Sequence, residues 1–206
     1  MTELVAIVAV AVVAWFAAGT IWNVRLGRDV LRWMQGGLPV LGKRTTLRWL
    51  GSTAVEMAIP DGRPPFNSAG VVIFLEPRDL PWMWALGRGR GRRDTLIVRG
   101  MLNRVPTLEF EALDPASWSG RDALRRVPRE WIERGADAVV VHHGAAAAVE
   151  RIDALVARAR RAGAIRRLSV RHGEPNFQIH VELPDRSEPA REFFDTVRAV
   201  AELALD

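Results

Sequence analysis

An uncharged apolar run of 19 residues near the start of the chain, from Leu4 to Trp22, constrains this sequence most. As an α-helix, a run of this length extends about 28 Å, which is close to the thickness of the hydrocarbon core of a bilayer. Charged residues make up 26% of the chain, and all of them lie outside the run. The sequence therefore predicts a membrane anchor at residues 1–22, followed by a water-facing body.

The flanks of the run predict that the anchor is retained and oriented. A signal peptide begins with basic residues, but residues 1–3 contain none, and the apolar run continues past its small-residue stretch at 17–19. Basic residues follow the run, so the positive-inside rule places the N-terminus outside and the body in the cytoplasm, at the cell membrane. The residues predicted to hold the anchor in the bilayer are Leu4, Trp15, Phe16, Trp22, Arg25, Arg28 and Arg32.

Residues 23–44 are predicted to form a basic juxtamembrane helix and a linker. Leu26, Val30 and Met34 recur at helical spacing within this segment. Two interpretations fit this stripe: it lies along anionic headgroups, or it packs on the soluble domain. The glycines at 36–37 and Pro39 are expected to end the helix.

The body, residues 45–206, is predicted to be an α+β domain, because pairs of strand-like segments alternate with helical ones. One arrangement that fits this body is a division into two lobes, residues 45–134 and 135–206. The predicted strands are residues 52–59, 71–75, 94–99, 107–113, 138–145, 165–171 and 177–183. The predicted helices are a short one capped by Asp79 and ending near 86, one at 123–134, one ending near 162, and one from about 188.

A strongly basic segment, GRGRGRR, occupies residues 87–93 and is predicted to be a flexible loop. Its arginines are candidates for contact with RNA phosphates or anionic lipid, since glycine neighbours let guanidinium groups approach phosphates closely. A solvated connector explains the same composition. The candidate contact residues are Arg88, Arg90, Arg92 and Arg93.

Residue patterns for catalysis are weak, so we predict a non-enzymatic protein with no catalytic, cofactor or metal site. The chain has no cysteine, which excludes disulfides and thiolate ligands. Glu109 and Glu111 alternate with apolar residues, which predicts the solvated face of a strand rather than an acid–base pair. His142 and His143 are adjacent on a predicted strand and point to opposite faces. All four histidines are expected to have structural or surface roles.

Several stretches resemble the calumin family, the anchored subunit of the eukaryotic PAT complex, which assists the insertion of multipass membrane proteins. They are the FLEPRDL sequence at 74–80 before a Trp-rich helix, the basic loop with the strand at 94–98, the strand–Gly–helix at 139–156, and the terminal hairpin and helix. The resemblance covers about residues 23–205. It implies an anchor with its N-terminus outside, a cytosolic α+β domain and a position beside a protein-conducting channel. The chain lacks the family's acidic lumenal region and C-terminal coiled coil, so calcium binding and coiled-coil ribosome contacts do not carry over.

Three hypotheses for function follow. In the first, the chain is a non-enzymatic factor that assists membrane-protein insertion or assembly, with the lipid bilayer, a protein-conducting channel, the ribosome or a nascent membrane protein as partners. The arginine loop would then contact rRNA or anionic lipid. In the second, it is an anchored adaptor of another membrane complex, with Trp-rich segments at 33–49 and 82–84 packing on partners. In the third, it is an anchored enzyme, which would need a deep pocket lined by convergent polar groups.

Overall fold

One antiparallel sheet flanked by helices forms the part of the chain that the structure describes, and the predicted α+β class is confirmed. The structure is a computed structural model that describes residues 1–127, 129, 131–134, 139–143 and 148–206, with only the backbone described for 132–134 and 139–143. The helices are α1 (Thr2–Gln35), α2 (Pro81–Gly89), α3 (Trp118–Leu124), α4 (Val149–Ala159) and α5 (Ala190–Leu203). The strands are β1 (Thr46–Trp49), β2 (Ala54–Ile59), β3 (Phe66–Phe74), β4 (Thr95–Leu102), β5 (Glu109–Leu113), β6 (Ile132–Arg134), β7 (Val139–His143), β8 (Ile165–Val170) and β9 (Phe177–Glu182).

The sheet order is β1-β2-β3-β4-β9-β8-β5-β7-β6. The C-terminal hairpin of β8 and β9 is inserted between β4 and β5, with β9 paired to β4 and β8 paired to β5. Strands from 45–134 and from 135–206 therefore interleave in a single sheet. The boundary between those two segments does not divide the sheet into two lobes, because both outer edges of the hairpin are hydrogen-bonded to strands of the first segment.

One face of the sheet carries the core, which the helices cover. Leu96 and Val98 of β4 alternate with more exposed residues, as the two-residue period of a strand requires, and they are fully buried. They share one apolar cluster with residues of α4, α5 and the second half of α1. In α5, Phe194 and Val197 are fully buried, and each such side chain contributes about 1.5–3 kcal/mol.

Helix α1 is a single helix that joins the apolar run to the domain. Residues 2–18 of the helix are exposed, and the helix is long and apolar enough to cross a membrane. From there a buried stripe follows the helical period and contains Gly19, Asn23, Gly27, Val30 and Met34. Val30 and Met34 pack in the domain core, so the structure bears out the domain-packing interpretation of residues 23–35.

Several predicted boundaries are wrong, each for a local reason. The helix predicted at 123–134 instead spans Trp118–Leu124 and is followed by β6. It starts earlier because the Ser117 side chain accepts a hydrogen bond from the backbone N–H of Gly120 and caps it. Residues 132–134 pair with β7, so sheet pairing overrides the helical spacing. Pro128 and Gly144, which the sequence analysis placed at an interruption and at a strand-to-helix turn, lie outside the described residues.

The segments around β3 and α2 differ from the prediction as well. β3 begins at Phe66 rather than at 71, with an irregularity in its pairing that absorbs the polar residues 67–68. β1 was not predicted, although Leu47 and Trp49 alternate with polar residues there; all four of its residues are exposed. Asp79 does not cap α2; its Oδ2 accepts a hydrogen bond from the Ser52 hydroxyl instead.

Candidate functional site

The loop between β3 and α2 presents Arg78, the centre of a cluster of charged side chains that we call the arginine clamp (Asn23, Glu76, Arg78, Arg88 and Asp94). Arg78 donates to both carboxylate oxygens of Asp94, at 3.0 and 2.6 Å. It also donates to Oε2 of Glu76 and to Oδ1 of Asn23, each at 3.2 Å. A bidentate pair of this kind fixes the orientation of the guanidinium plane as well as its position.

Glu76 is the buried carboxylate of the clamp, with 1% of its surface exposed. Its Oε2 accepts hydrogen bonds from Arg78, from Arg88 at 3.1 Å and from Nε1 of Trp84 at 3.0 Å. Its backbone N–H donates to Oδ1 of Asp94 at 2.7 Å. Burying a carboxylate is costly unless it is paired and hydrogen-bonded. The two arginines offset the charges of Glu76 and Asp94, so the clamp is close to neutral.

The clamp holds α1 against the domain. Nδ2 of Asn23 donates to the carbonyl of Glu76 at 3.1 Å, and Nε1 of Trp15 donates to the carbonyl of Arg78 at 2.9 Å. Gly19 lies so close that a Cβ there would be 2.3 Å from the same Arg78 carbonyl oxygen. The loop and helix α1 are therefore in contact from Trp15 to Asn23, through side chains at both ends and through the backbone at Gly19, where no larger side chain fits.

The residues predicted to hold the anchor lie on α1 surfaces that the domain leaves open. Leu4, Trp15, Phe16 and Trp22 are exposed, and the guanidinium carbon of Arg78 lies 6.0 Å from the ring centroid of Trp22. The three predicted basic residues, Arg25, Arg28 and Arg32, are also exposed on α1. Arg32 forms an ion pair with Asp29 at 3.0 Å, one helical turn away.

The predicted arginine loop is more structured than expected. Helix α2 continues to Gly89, so the flexible-loop prediction is wrong for residues 87–89. Arg88 belongs to the clamp, and Arg93 donates to the carbonyls of Arg88 and Arg92 at 2.9 and 2.7 Å. Arg90 is exposed, and within the described residues neither it nor Arg92 forms an ion pair. The four arginines thus divide into two that support the fold and two whose charges are available.

A cavity of about 340 Å³ lies on the face of the sheet opposite the core. It is enclosed by the turn after α2, the start of α3 and the outer side chains of β4 and β9. Its lining includes Phe74, Arg92, Arg93, Thr95, Ile97, Ser117, Trp118, Arg166 and His180. This lining combines aromatic and aliphatic surface with guanidinium groups, so the space suits an apolar group with an acceptor at one end.

His180 is the titratable imidazole in this cavity. Burial, with a smaller contribution from the charge of Arg167, lowers the pKa of His180 to about 3, so the ring is neutral near pH 7. Its Nδ1 is buried without a hydrogen-bond partner among the described residues. The Ser117 hydroxyl is occupied as a helix cap, donating to the carbonyl of Asp114. Within the described residues no group of three His, Cys, Asp or Glu side chains could hold a metal ion.

The burial of Glu111 shows that the prediction of a solvated strand face is wrong. Glu111 is fully buried, and its Oε1 accepts hydrogen bonds from Arg167 at 2.7 Å, Arg171 at 2.6 Å and Ser169 at 3.2 Å. The alternation in β5 is right, but β8 lies alongside and its polar side chains cover the face. Glu109, two residues earlier in β5, is half-buried and accepts a hydrogen bond from the backbone N–H of His172.

Sequence reasoning missed Asn23, Asp94 and Glu111. The sequence contains patterns that indicate partners for two of them, Asn23 and Glu111. Asn23 lies on the same helix face as Gly19, Gly27 and Val30, so the helical period predicts that this polar residue packs against the domain. The arginines at 167 and 171 recur with the strand period and are the natural partners of a carboxylate on the neighbouring strand.

No protein-family model matches the chain, and no curated protein matches it. The resemblance to the calumin family therefore stays a hypothesis based on the stretches of sequence named above.

Proposed function

We propose that the chain is a single-pass, membrane-anchored and non-enzymatic factor that assists membrane-protein insertion or assembly near the translocon and ribosome. The observation that carries the anchoring is the continuity of α1. Its first half is apolar and exposed, whereas its second half is part of the domain core. An exposed apolar surface of this size is unfavourable in water and favourable in lipid.

The packing of α1 supports a retained anchor over a cleaved signal sequence. A cut within the small residues at 17–19 would remove Trp15, which donates to Arg78, and would expose the start of the buried stripe. The remaining chain would begin three to five residues before Asn23 of the arginine clamp. A segment that is removed after translocation has no reason to be built into the fold in this way.

The orientation follows from the basic residues that come after the apolar run. Arg25, Arg28 and Arg32 are exposed on α1, on the domain side of the run. Under the positive-inside rule they favour a cytoplasmic domain. Such a domain is held at a fixed height and angle on its membrane helix, which suits a protein that positions other components at the membrane surface.

The choice of insertion or assembly as the task rests on the resemblance. One stretch of that resemblance, residues 74–80, supplies Glu76 and Arg78 to the arginine clamp, which docks α1 on the domain. This docking supports a comparison with a family of anchored domains. Arg90 and Arg92 are the arginines available for rRNA or anionic lipid, since Arg88 and Arg93 have partners within the fold.

An adaptor role in another membrane complex is the second candidate, and one observation favours it. Trp82 and Trp118 are more than half exposed, although large aromatic side chains are usually buried. Of the other tryptophans in the predicted segments, Trp33 donates to the carbonyl of Glu188 and Trp84 donates to Glu76, whereas Trp49 is 36% exposed.

Cross-linking in intact membranes tests the proposal. The tagged full-length protein is cross-linked in its native membrane and purified in detergent, and the attached proteins are identified by mass spectrometry, with an unrelated single-pass protein as control. Specific cross-links to a protein-conducting channel or to ribosomal proteins are expected. Cross-links to one different membrane complex would replace the first candidate with the adaptor. Turnover of a small molecule that depends on residues of the cavity would overturn the non-enzymatic assignment.

A further inference from the structure

We infer that the outer face of α2 (Trp82, Met83 and Leu86) is a second membrane contact that lies in the interfacial region of the bilayer which α1 crosses. The inference rests on the proposed function in one respect, that α1 spans a membrane. Nothing in the resemblance or in the predicted anchor assigns α2 to lipid. Three features support it: the length of α1, the position of α2 beside it, and the chemistry of the exposed face.

The first step is the length of α1 that is free of the domain. Contact with the domain begins at Trp15, which donates to the carbonyl of Arg78. Residues Thr2–Ala14 precede that contact, and as a helix they measure about 20 Å. The hydrocarbon core of a bilayer is about 30 Å thick, so about 10 Å of the span has to come from the part of α1 that lies beside the loop at 76–79. A spanning α1 therefore draws this loop to the boundary between hydrocarbon and headgroups.

The second step is the position of α2. The loop residues Arg78 and Asp79 touch Gly19, and α2 starts at Pro81, two residues further on. Trp82 and Met83 lie in the first turn of α2, three and four residues after Asp79. Because Trp84 and Arg88 bind Glu76, one side of α2 is fixed to the arginine clamp. The opposite side cannot turn inward.

The third step is the chemistry of that opposite side. Trp82, Met83 and Leu86 are 60%, 45% and 56% exposed, and Leu86, four residues after Trp82 and three after Met83, lies beside both on one face of the helix. Tryptophan favours the membrane–water interface, where its ring is in contact with lipid and its N–H with water. Residues 80–93 contain four arginines and no acidic residue, which complements an anionic headgroup layer. On α1, the exposed Ile21 and Trp22 are next to the same loop.

Spin labelling gives a direct test, because the chain has no cysteine and one substitution places one label. The full-length protein carrying Met83→Cys is reconstituted in vesicles of phosphatidylcholine and phosphatidylglycerol. Collision with oxygen, which concentrates in lipid, is compared with collision with a water-soluble nickel chelate. Ser187→Cys is the matched control: it is exposed, and its neighbour Glu188 binds Trp33, about 27 Å along α1 from Trp15. Val8→Cys reports on α1 itself.

The expected result is that the Met83 label favours oxygen over the nickel chelate, as the Val8 label does, whereas the Ser187 label favours the chelate. A Met83 label that matches Ser187 while Val8 remains in lipid overturns the interfacial contact and leaves the anchor intact. A Met83 label shielded from both reagents shows that protein covers this face, and it also overturns the inference. If the Val8 label favours the chelate, the anchor itself fails, and the interfacial contact fails with it.

Discussion

Asn23 of α1 accepts a hydrogen bond from Arg78 at 3.2 Å, and through it the helix that carries the apolar run is tied to the charged loop of the domain. The same asparagine donates to the carbonyl of Glu76 and is fully buried. A buried asparagine whose amide nitrogen and oxygen are both hydrogen-bonded fixes the rotation of its helix and the position of the helix along its axis. An apolar side chain would let the helix slide along the domain. The domain is thereby held in a defined geometry relative to α1.

Replacement of Asn23 with leucine removes both bonds and leaves the Glu76 carbonyl without its side-chain partner. We expect the free energy of unfolding in detergent to fall by about 2 kcal/mol, the cost of an unsatisfied buried polar group. Asn103→Leu, at an exposed asparagine, serves as the control and should change stability little. Equal effects of the two substitutions would show that the Asn23 contacts contribute nothing specific.

Gly19→Ala tests the backbone contact between α1 and the loop. The added Cβ would lie 2.3 Å from the Arg78 carbonyl oxygen, so the loop has to move away from the helix. We expect a cost of about 1–3 kcal/mol and faster hydrogen exchange of the backbone amides at 76–80. Gly36→Ala is the matched control, because its nearest neighbour would be 3.7 Å away and its φ of −69° suits any residue. Unchanged exchange in Gly19→Ala would contradict the close approach.

Glu111→Gln tests the buried carboxylate on β5. The substitution keeps the shape but removes the charge that balances Arg167 and Arg171. We expect a loss of roughly 3 kcal/mol, since breaking a buried ion pair leaves uncompensated charge. The double variant Glu111→Gln/Arg171→Gln should be less destabilised than the sum of its single variants. Additive losses in chemical denaturation would mean that the two residues do not interact.

The pH dependence of stability follows from His180. Its pKa falls from 6.5 in the unfolded chain to about 3 in the fold, chiefly by burial. Below pH 6.5 the unfolded chain binds a proton that the folded chain does not, so stability decreases as the pH falls toward 3. Between pH 6.5 and 5 the loss is about 2 kcal/mol. His180→Gln should flatten this dependence in urea unfolding; a slope equal to that of the parent protein would refute the assignment.

The arginines in the last turn of α2 and in the segment after it should separate into two functional classes. Arg90→Ala/Arg92→Ala should weaken binding to anionic vesicles or RNA and reduce its salt dependence, with little effect on stability. Arg88→Ala should destabilise the fold instead, because it leaves the buried Glu76 with one arginine fewer. Vesicle sedimentation at low and high salt, together with thermal unfolding, measures both quantities. Binding that is identical in the double variant and the parent would remove the proposed contact.

Much of the fold could be predicted from the sequence, because local patterns carry it. The predicted strands at 52–59, 71–75, 94–99, 165–171 and 177–183 all overlap strands of the structure, since β-branched runs and turn residues mark them. The last helix was marked by the spacing of Phe193, Val197 and Val200, which are buried in α5. The order of the strands in the sheet depends on pairing between distant segments and was not predictable.

The candidate site was predictable only in part, because it also depends on contacts between distant segments of the chain. Arg88 and Arg93 stood out by composition, but only the fold reveals that Glu76 and the carbonyls of neighbouring residues bind them. Glu111 had the pattern of a solvated face, and only the placement of β8 beside β5 makes that face buried. Long-range partners decide whether a charge is exposed or paired, and a single sequence does not contain that information.

Retention of α1 as a membrane anchor continuous with the domain is tested by the intact mass of the protein recovered from carbonate-washed membranes. We expect the chain to stay in the washed membrane fraction with its full mass of 22.9 kDa. Release into the carbonate supernatant, or a mass that lacks the residues before Gly19, would show that α1 is not a retained anchor.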